Sequence, residues 1–177
     1  RLRPLHERDW AWRREHFAGF DDADGEGAPA DHLPRVDAAT QSQREHSWRD
    51  VLTQLDALPL DQLGERDATD FAVYRAQIET LLSQQQFRCW EMPFNSDSAF
   101  WTDLGFTARR ARHDADDYER YLGQLHDIPR YFNEHIANMR AGLARGFSVP
   151  RVTLTGREQS IAQVLDTACI KDNLFYT

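Results

Sequence analysis

The feature that most constrains the fold is a stripe of apolar side chains between residues 114 and 150. Its members recur at steps of three or four residues: Tyr118, Tyr121, Leu125, Ile128, Phe132, Ile136, Met139 and Leu143. This spacing places them on one face of an α-helix, because a helix has 3.6 residues per turn. Such a face needs other apolar surface to cover it, so the pattern predicts a long helix packed against further helices.

Local signals bound this helix and interrupt it. Pro129 lies inside the pattern and cannot donate a hydrogen bond to the carbonyl of Leu125. It predicts either a kink or two helices, with Asp127 capping the second. Gly146 stands where a left-handed C-terminal cap belongs, and Pro150 prevents continuation. We therefore expect the helical stretch to end near residue 145.

Other segments show the same periodicity. We predict helices at about 5–17, 38–58, 67–88 and 157–167, the last preceded by a short extended piece at 152–155. The helix at 38–58 could be capped by Asp37, or by a capping box of Thr40 and Gln43. The short turn at Pro59 favours antiparallel packing of the helices on either side. The predicted fold class is all-α, an antiparallel helical bundle or helical layer, in a single domain over 1–177.

The segment 19–29 is acidic and rich in glycine, which is typical of a loop. Its acids Asp21, Asp22, Asp24 and Glu26 resemble an EF-hand calcium loop. The glutamate that closes such a loop is missing and Pro29 interrupts the frame. We predict a solvated loop rather than a calcium site.

Periodicity stops between residues 89 and 109, where aromatic side chains crowd together: Trp90, Phe94, Phe100, Trp101 and Phe106. A loop of this length inside a domain is often functional. Two interpretations stay open. The aromatic residues could plug the end of the bundle, because large aromatic side chains chiefly supply buried area. Alternatively, Trp90, Phe94 and Trp101 line a groove for an extended peptide or another ligand.

A charged cluster follows the aromatic loop. Arg109, Arg110, Arg112 and His113 precede an acidic helix start. This cluster could contact a substrate carboxylate, or it could be a solvated helix end. We therefore take Trp90, Phe94, Trp101 and Arg109 as the candidate substrate-binding residues.

No catalytic, cofactor or metal site is predicted within this chain. The histidines His6, His16, His32, His46, His113, His126 and His135 are never three or four apart, so no two can share one zinc ion on a single helix. Glu134-His135 is interpreted as a pair on a helix surface. Cys89 and Cys169 lack the pattern of a nucleophile and fit two free, half-buried thiols better than a disulfide.

Charge and hydropathy exclude two classes of partner. The net charge is -8, which argues against nucleic-acid binding because that requires clustered positive charge. No run of 18 or more apolar residues exists, so no membrane span is predicted. No signal peptide is visible at the first residues. The location stays open: exported if a signal peptide was removed, otherwise cytoplasmic.

Several runs of residues resemble a bacterial helical family catalogued as domain of unknown function eight-eight-five. These runs are Trp90–Asn95, Tyr121–Leu122, Ile128–Tyr131, Ile136–Gly146, Pro150–Arg151 and Asn173–Thr177. The resemblance implies a long, mostly α-helical protein similar to zinc metallopeptidases of the H-E-x-x-H type, many of them exported. It also implies that this chain corresponds to the N-terminal third, with the zinc motif downstream.

Two functions are therefore expected as alternatives. In the first, the chain is the N-terminal helical part of a zinc metallopeptidase-like protein, a hydrolase. It forms a wall or lid of the cleft for a peptide substrate, and the C-terminal remainder of the polypeptide is its partner and supplies the zinc. In the second, the chain is a complete, non-catalytic helical binding module that uses the aromatic loop at 90–106.

Overall fold

The computed structural model describes residues 2–17 and 30–176. The described residues form six α-helices: α1 (Leu2–Phe17), α2 (Ala38–Asp56), α3 (Glu65–Phe87), α4 (Leu104–Arg109), α5 (Ala115–Ala144) and α6 (Arg157–Leu165). Of the described part, 71% is helical and none is β-strand, which confirms the all-α fold class. The predicted acidic loop at 19–29, with its calcium-loop likeness, lies outside the described residues.

Helices α1, α2 and α3 share a first hydrophobic core. Leu55 of α2 and Ile78 of α3 are fully buried, and Leu5 of α1 packs with them. The Asp37 carboxylate accepts a hydrogen bond from the Thr40 N–H at 2.9 Å, so Asp37 is the cap of α2. The connection from α2 to α3 spans only residues 57–64, and these two helices make the most extensive helix–helix contact.

A second core lies against α5. Its buried members are Leu33, Val36, Phe100, Leu104 and Tyr131. They come from the segment 30–36, from the aromatic loop, from α4 and from α5. This core therefore joins two separate stretches of the chain, 33–36 and 100–104, to one long helix.

Helix α5 continues through Pro129 as one helix, so the alternative of two helices is wrong. Its cap is Asp114, whose carboxylate accepts from the Asp117 N–H at 2.9 Å. Asp127 starts no second helix, because its carboxylate instead accepts a hydrogen bond from the Leu33 N–H at 3.0 Å. Side-chain contacts to residues far along the chain thus hold the helix across the proline, which by itself destabilises a helix interior.

The buried face of α5 differs from the predicted apolar stripe. Tyr118 and Leu143, at the two ends of that stripe, are 55% and 67% exposed. The buried positions are Tyr121, Gln124, Tyr131, His135, Asn138 and Gly142. They keep the predicted helical spacing, but half of the face is polar.

The polar residues of α5 bind the backbone of the segment 30–36. The Gln124 amide donates to the Ala30 carbonyl at 2.7 Å. Asp127 accepts from the Leu33 N–H, and Arg130 donates to the Leu33 carbonyl at 2.7 Å. Arg130 also donates to Asp127, and this hydrogen bond is the main cause that holds the pKa of Asp127 below its ordinary value.

The same pattern continues one and two turns further along. Glu134 accepts from the Val36 N–H at 2.8 Å, and the Asn138 amide donates to the Val36 carbonyl at 2.7 Å. From α2, the Arg44 guanidinium donates to the Arg35 carbonyl at 2.9 Å. We call the contacts between α5 and the segment 30–36 the α5 seam.

Two glycines allow close approach along α5. A Cβ at Gly123 would overlap the Asp31 carbonyl, and a Cβ at Gly142 would lie 3.0 Å from the Cβ of Glu91. Glu91 is 2% exposed and is paired with Arg145 at the end of α5. The aromatic loop is thus anchored to α5 where it begins.

Three further predictions are corrected. The piece at 152–155 is not extended, because Arg151–Leu154 forms a 3-10 helix. The long loop ends earlier than expected, since α4 occupies its last six residues. Both cysteines are free, but they are exposed rather than half-buried.

The predicted cap at Gly146 is confirmed, with φ at +77°. Among the described residues, no helix is both long and apolar enough to cross a membrane.

Replacing Gly123 by alanine should destabilise the protein by about 1–3 kcal/mol, because the new methyl group would force the Asp31 backbone away from α5. Urea unfolding followed by circular dichroism measures the change. The control is Gly105→Ala in α4, where the nearest atom to the new Cβ is 3.9 Å away. That variant should be neutral or slightly more stable, since alanine is the better helix former. Equal effects of the two changes would contradict the close approach at Gly123.

Candidate ligand-binding cavity

A cavity of about 610 Å3 lies between α4, the middle of α5, α6 and the C-terminal turn. Its apolar walls include Trp101, Phe106, Phe132, Ile161, Val164 and Phe175. A mainly apolar pocket with few polar groups is typical of small-ligand sites. This cavity is therefore the candidate functional site.

Trp101 connects the aromatic loop to α6. Its indole N–H donates to the Ser160 hydroxyl at 2.9 Å, and that hydroxyl donates to the Arg157 carbonyl at 2.7 Å. A tryptophan N–H usually finds such a partner when its ring packs against other groups. The bond fixes the ring as one wall of the cavity.

Phe100, a member of the second core, packs against the Trp101 ring. It is 7% exposed, and its ring meets those of Trp101 and Phe132 edge-on at 4.9 and 5.1 Å between centroids. Phe94 packs against Trp101 at 5.8 Å. The second core thus holds the cavity wall in place through Phe100.

The C-terminal turn closes another side. The Tyr121 hydroxyl donates to the Phe175 carbonyl at 2.8 Å, and the Asn173 amide donates to the Val164 carbonyl at 2.8 Å. The Arg112 guanidinium lies 3.5 Å from the centre of the Tyr121 ring. Burial raises the pKa of Tyr121, so its hydroxyl stays protonated and able to donate.

Arg109 is the charged side chain among the described residues that line the cavity. It lies in the last turn of α4 and is exposed. Within the described part of the chain, it takes part in no hydrogen bond and no ion pair. Its neighbour Arg112, in contrast, donates to the Thr107 and Ala108 carbonyls at the end of α4.

The four predicted substrate-binding residues do not share one groove. Trp101 and Arg109 line the cavity, and Phe94 contacts Trp101. Trp90 lies elsewhere, in a separate cavity of about 460 Å3 lined mainly by α5. Phe100 belongs to a core, as the first interpretation of the aromatic loop expects. Trp101 lines a cavity, and ligand binding there stays a prediction.

His135 is buried beneath the aromatic loop, so the interpretation of Glu134-His135 as a surface pair is wrong. Its ring stacks on Phe100 at 4.0 Å and meets Tyr131 edge-on at 4.5 Å. Neither ring nitrogen has a hydrogen-bond partner among the described residues. Burial, aided by the charge of Arg44, lowers the pKa of His135 to about 4.

Arg44 is the buried cation of this region. Its guanidinium lies 4.1 Å from the centre of the Phe17 ring, and burial lowers its pKa to about 10. Arg44 keeps its charge at neutral pH, which disfavours a second positive charge on His135. The pair therefore holds a neutral imidazole against the aromatic residues.

The described ranges 2–17 and 30–176 contain no group of side chains arranged as a metal site. Nowhere in them do three or more histidine, cysteine, aspartate or glutamate side chains cluster as metal ligands do. The buried His135 is surrounded by aromatic rings and a cation. Such surroundings do not fit a zinc ligand set.

The α6 side of the cavity and the burial of His135 were not predicted from the sequence. The signal for the first was present, since Ile161, Val164 and Leu165 lie on one face of a helix too short to form its own core. The signal for the second was the helical spacing of His135 with Tyr131 and Asn138. The polar residue type predicts exposure there, so the spacing alone did not indicate burial.

The fold and the cavity define the class: an all-helical chain, in its described part, that carries a mainly apolar pocket of ligand size. Comparison with known families identifies the group. Residues 15–176 match the family described as "Bacterial protein of unknown function (DUF885)". Because the match spans most of the chain, the chain belongs to this family. No curated protein and no solved structure matches the chain.

Stability should fall as the pH decreases from about 6.5 to 4, because the unfolded chain binds a proton at His135 there and the folded chain does not. A pKa lowered from 6.5 to about 4 corresponds to a loss of up to about 3 kcal/mol. The depressed carboxylates Asp37 and Asp127 lose their contributions at lower pH, below their ordinary value of 3.8.

Urea unfolding at a series of pH values measures this slope. His135→Gln should flatten the curve between pH 6.5 and 4, whereas His126→Gln, at an exposed position of α5, should leave it unchanged. An unchanged slope in the His135 variant would contradict a buried, neutral imidazole.

Proposed function

We propose that this chain forms a non-catalytic helical wall of the substrate cleft in a zinc metallopeptidase-like protein. In this proposal the cavity accepts an apolar side chain of a peptide. The zinc and the groups that activate water come from the remainder of the polypeptide. No catalytic step is assigned to the chain itself, because its described residues offer no fitting set of metal ligands.

The observation that carries the proposal is the combination of an apolar cavity with a cation, Arg109, that has no ion-pair partner among the described residues. Peptides offer both matching groups, apolar side chains and carboxylates. The resemblance to metallopeptidases supplies the reaction class. In that class a zinc ion, held by residues outside this chain, would supply Lewis-acid chemistry. The residues of this chain would only position the peptide.

Two aromatic walls of the cavity are held in position by contacts with neighbouring residues. Trp101 is fixed by Ser160, and Phe132 is supported by Phe100. Pre-organised walls bind a side chain without a further ordering cost, which favours their use for positioning a substrate. This is the role expected of a cleft wall.

The alternative proposal is a complete, non-catalytic binding module. The same cavity supports it, because an apolar pocket binds ligands whether or not chemistry follows. The two proposals differ in one respect: only the first expects metal and hydrolysis in the whole polypeptide.

The test uses the product of the complete natural gene, with zinc measured by mass spectrometry and hydrolysis measured on a peptide library. The first proposal expects one zinc ion per chain and cleavage. Val164→Phe, which fills the cavity, should then raise KM about tenfold or more for peptides with large apolar residues. The value of kcat should change little, because the filled cavity removes binding rather than chemistry.

The matched control is Val152→Phe, the same change at a position that is 78% exposed. It should leave KM unchanged. Absence of both zinc and hydrolysis would contradict the enzyme proposal. In that case the alternative requires that Val164→Phe, and not Val152→Phe, weakens binding of an apolar ligand.

A further inference from the structure

We infer that the cavity binds the C-terminal residue of a peptide, with the apolar side chain inside the cavity and the carboxylate on Arg109. This inference rests on the proposed function, and it specifies which end of the peptide the cavity receives. Three points support it: the size of the cavity, the single charged side chain (Arg109) in its described lining, and the attachment of a terminal residue's side chain and carboxylate to the same Cα atom.

The size of the cavity exceeds one side chain. At about 610 Å3 it lies within the range of roughly 300–1,000 Å3 that is typical of small-ligand pockets. The walls formed by Trp101, Phe132 and Val164 are apolar. There is space for a large apolar side chain together with part of the residue before it.

The charge at the cavity is positive and uncompensated within the described lining. No acidic side chain lines the cavity there, and Arg109 makes no hydrogen bond or ion pair with described residues. A guanidinium group binds a carboxylate with two parallel hydrogen bonds, which suits recognition of a planar anion. The chain carries a net charge of -8, so a local cation is needed to attract an anionic ligand.

The geometry of a terminal residue matches this arrangement. Its side chain and its carboxylate are attached to the same Cα atom, so an apolar side chain inside the cavity places the carboxylate at the rim. An internal aspartate or glutamate whose own side chain entered the cavity would put its carboxylate among the apolar walls, at a desolvation cost. A fatty acid shares the chemistry of a carboxylate on an apolar chain, and the test separates it from a peptide.

The experiment follows the fluorine signal of Trp101 in the full chain labelled with 5-fluorotryptophan, assigned by Trp101→Phe. The chain contains five tryptophans, so the spectrum is simple. The ligands are N-acetyl-Leu-Phe, its C-terminal amide and octanoate, each titrated with EDTA present to prevent hydrolysis. The variants are Arg109→Gln, Arg109→Lys, Val164→Phe and the control Arg151→Gln, which removes one exposed arginine outside the cavity.

N-acetyl-Leu-Phe should bind about fivefold more tightly than its amide, the difference expected for one exposed ion pair. Arg109→Gln should remove this preference, Arg109→Lys should retain a part of it, and Arg151→Gln should leave it intact. Val164→Phe should abolish binding of both ligands. Octanoate should bind more weakly than the peptide.

Equal affinity for the acid and the amide would overturn the inference, as would a preference that survives Arg109→Gln. Tighter binding of octanoate would overturn the peptide as ligand. If acid and amide bind equally and Val164→Phe abolishes both, the proposed role of the cavity as an apolar subsite stands while the inference fails. If no ligand binds the unmodified chain, both fail.

Discussion

The α5 seam is the interaction on which the rest of this structure depends. Side chains of α5 bind backbone N–H and C=O groups of the segment 30–36, which has no secondary structure of its own. Buried backbone groups need such partners, because each one left unpaired costs about 1–3 kcal/mol. The seam lets Leu33 and Val36 enter a core without a strand or helix to satisfy their backbone. It also explains how α5 passes through Pro129, since contacts from another segment support the helix on both sides.

From the seam, a series of contacts leads to the cavity. Leu33 and Val36 form the second core together with Phe100, Leu104 and Tyr131. Phe100 then supports Trp101 and Phe132, which are two of the cavity walls. The functional proposals therefore concern a pocket two of whose walls pack on the second core. The buried pair of Arg44 and His135 lies between these two regions and keeps the imidazole neutral.

The sequence alone was enough to predict that the helices exist. It was not enough to predict which residues their buried side chains contact. The apolar spacing of three and four residues predicted α5, and Gly146 predicted its end. Both signals are local in the sequence. The buried face of α5 was predicted too apolar. Gln124 and Asn138 look like exposed residues until their partners, the Ala30 and Val36 carbonyls 94 and 102 positions away in the chain, are known. His135 is buried by aromatic rings and has no hydrogen-bond partner among the described residues. A distant partner also explains Asp127, which has the residue type of a helix cap but accepts a hydrogen bond from the Leu33 N–H.

In the cavity, Trp101 and Arg109 were predicted as candidates, whereas Trp90 lies in a separate cavity. The order of residues within a loop does not determine which of their side chains line the same cavity.

The most direct test is hydrogen exchange at the backbone amides of Leu33 and Val36. Their N–H groups donate to Asp127 and Glu134, and both residues are buried. If the α5 seam organises the fold, these two amides exchange as slowly as the core amides of α2 and α3, although they belong to neither helix nor strand. Exchange at the rate of an unstructured chain, while α2 and α3 stay protected, would contradict the account.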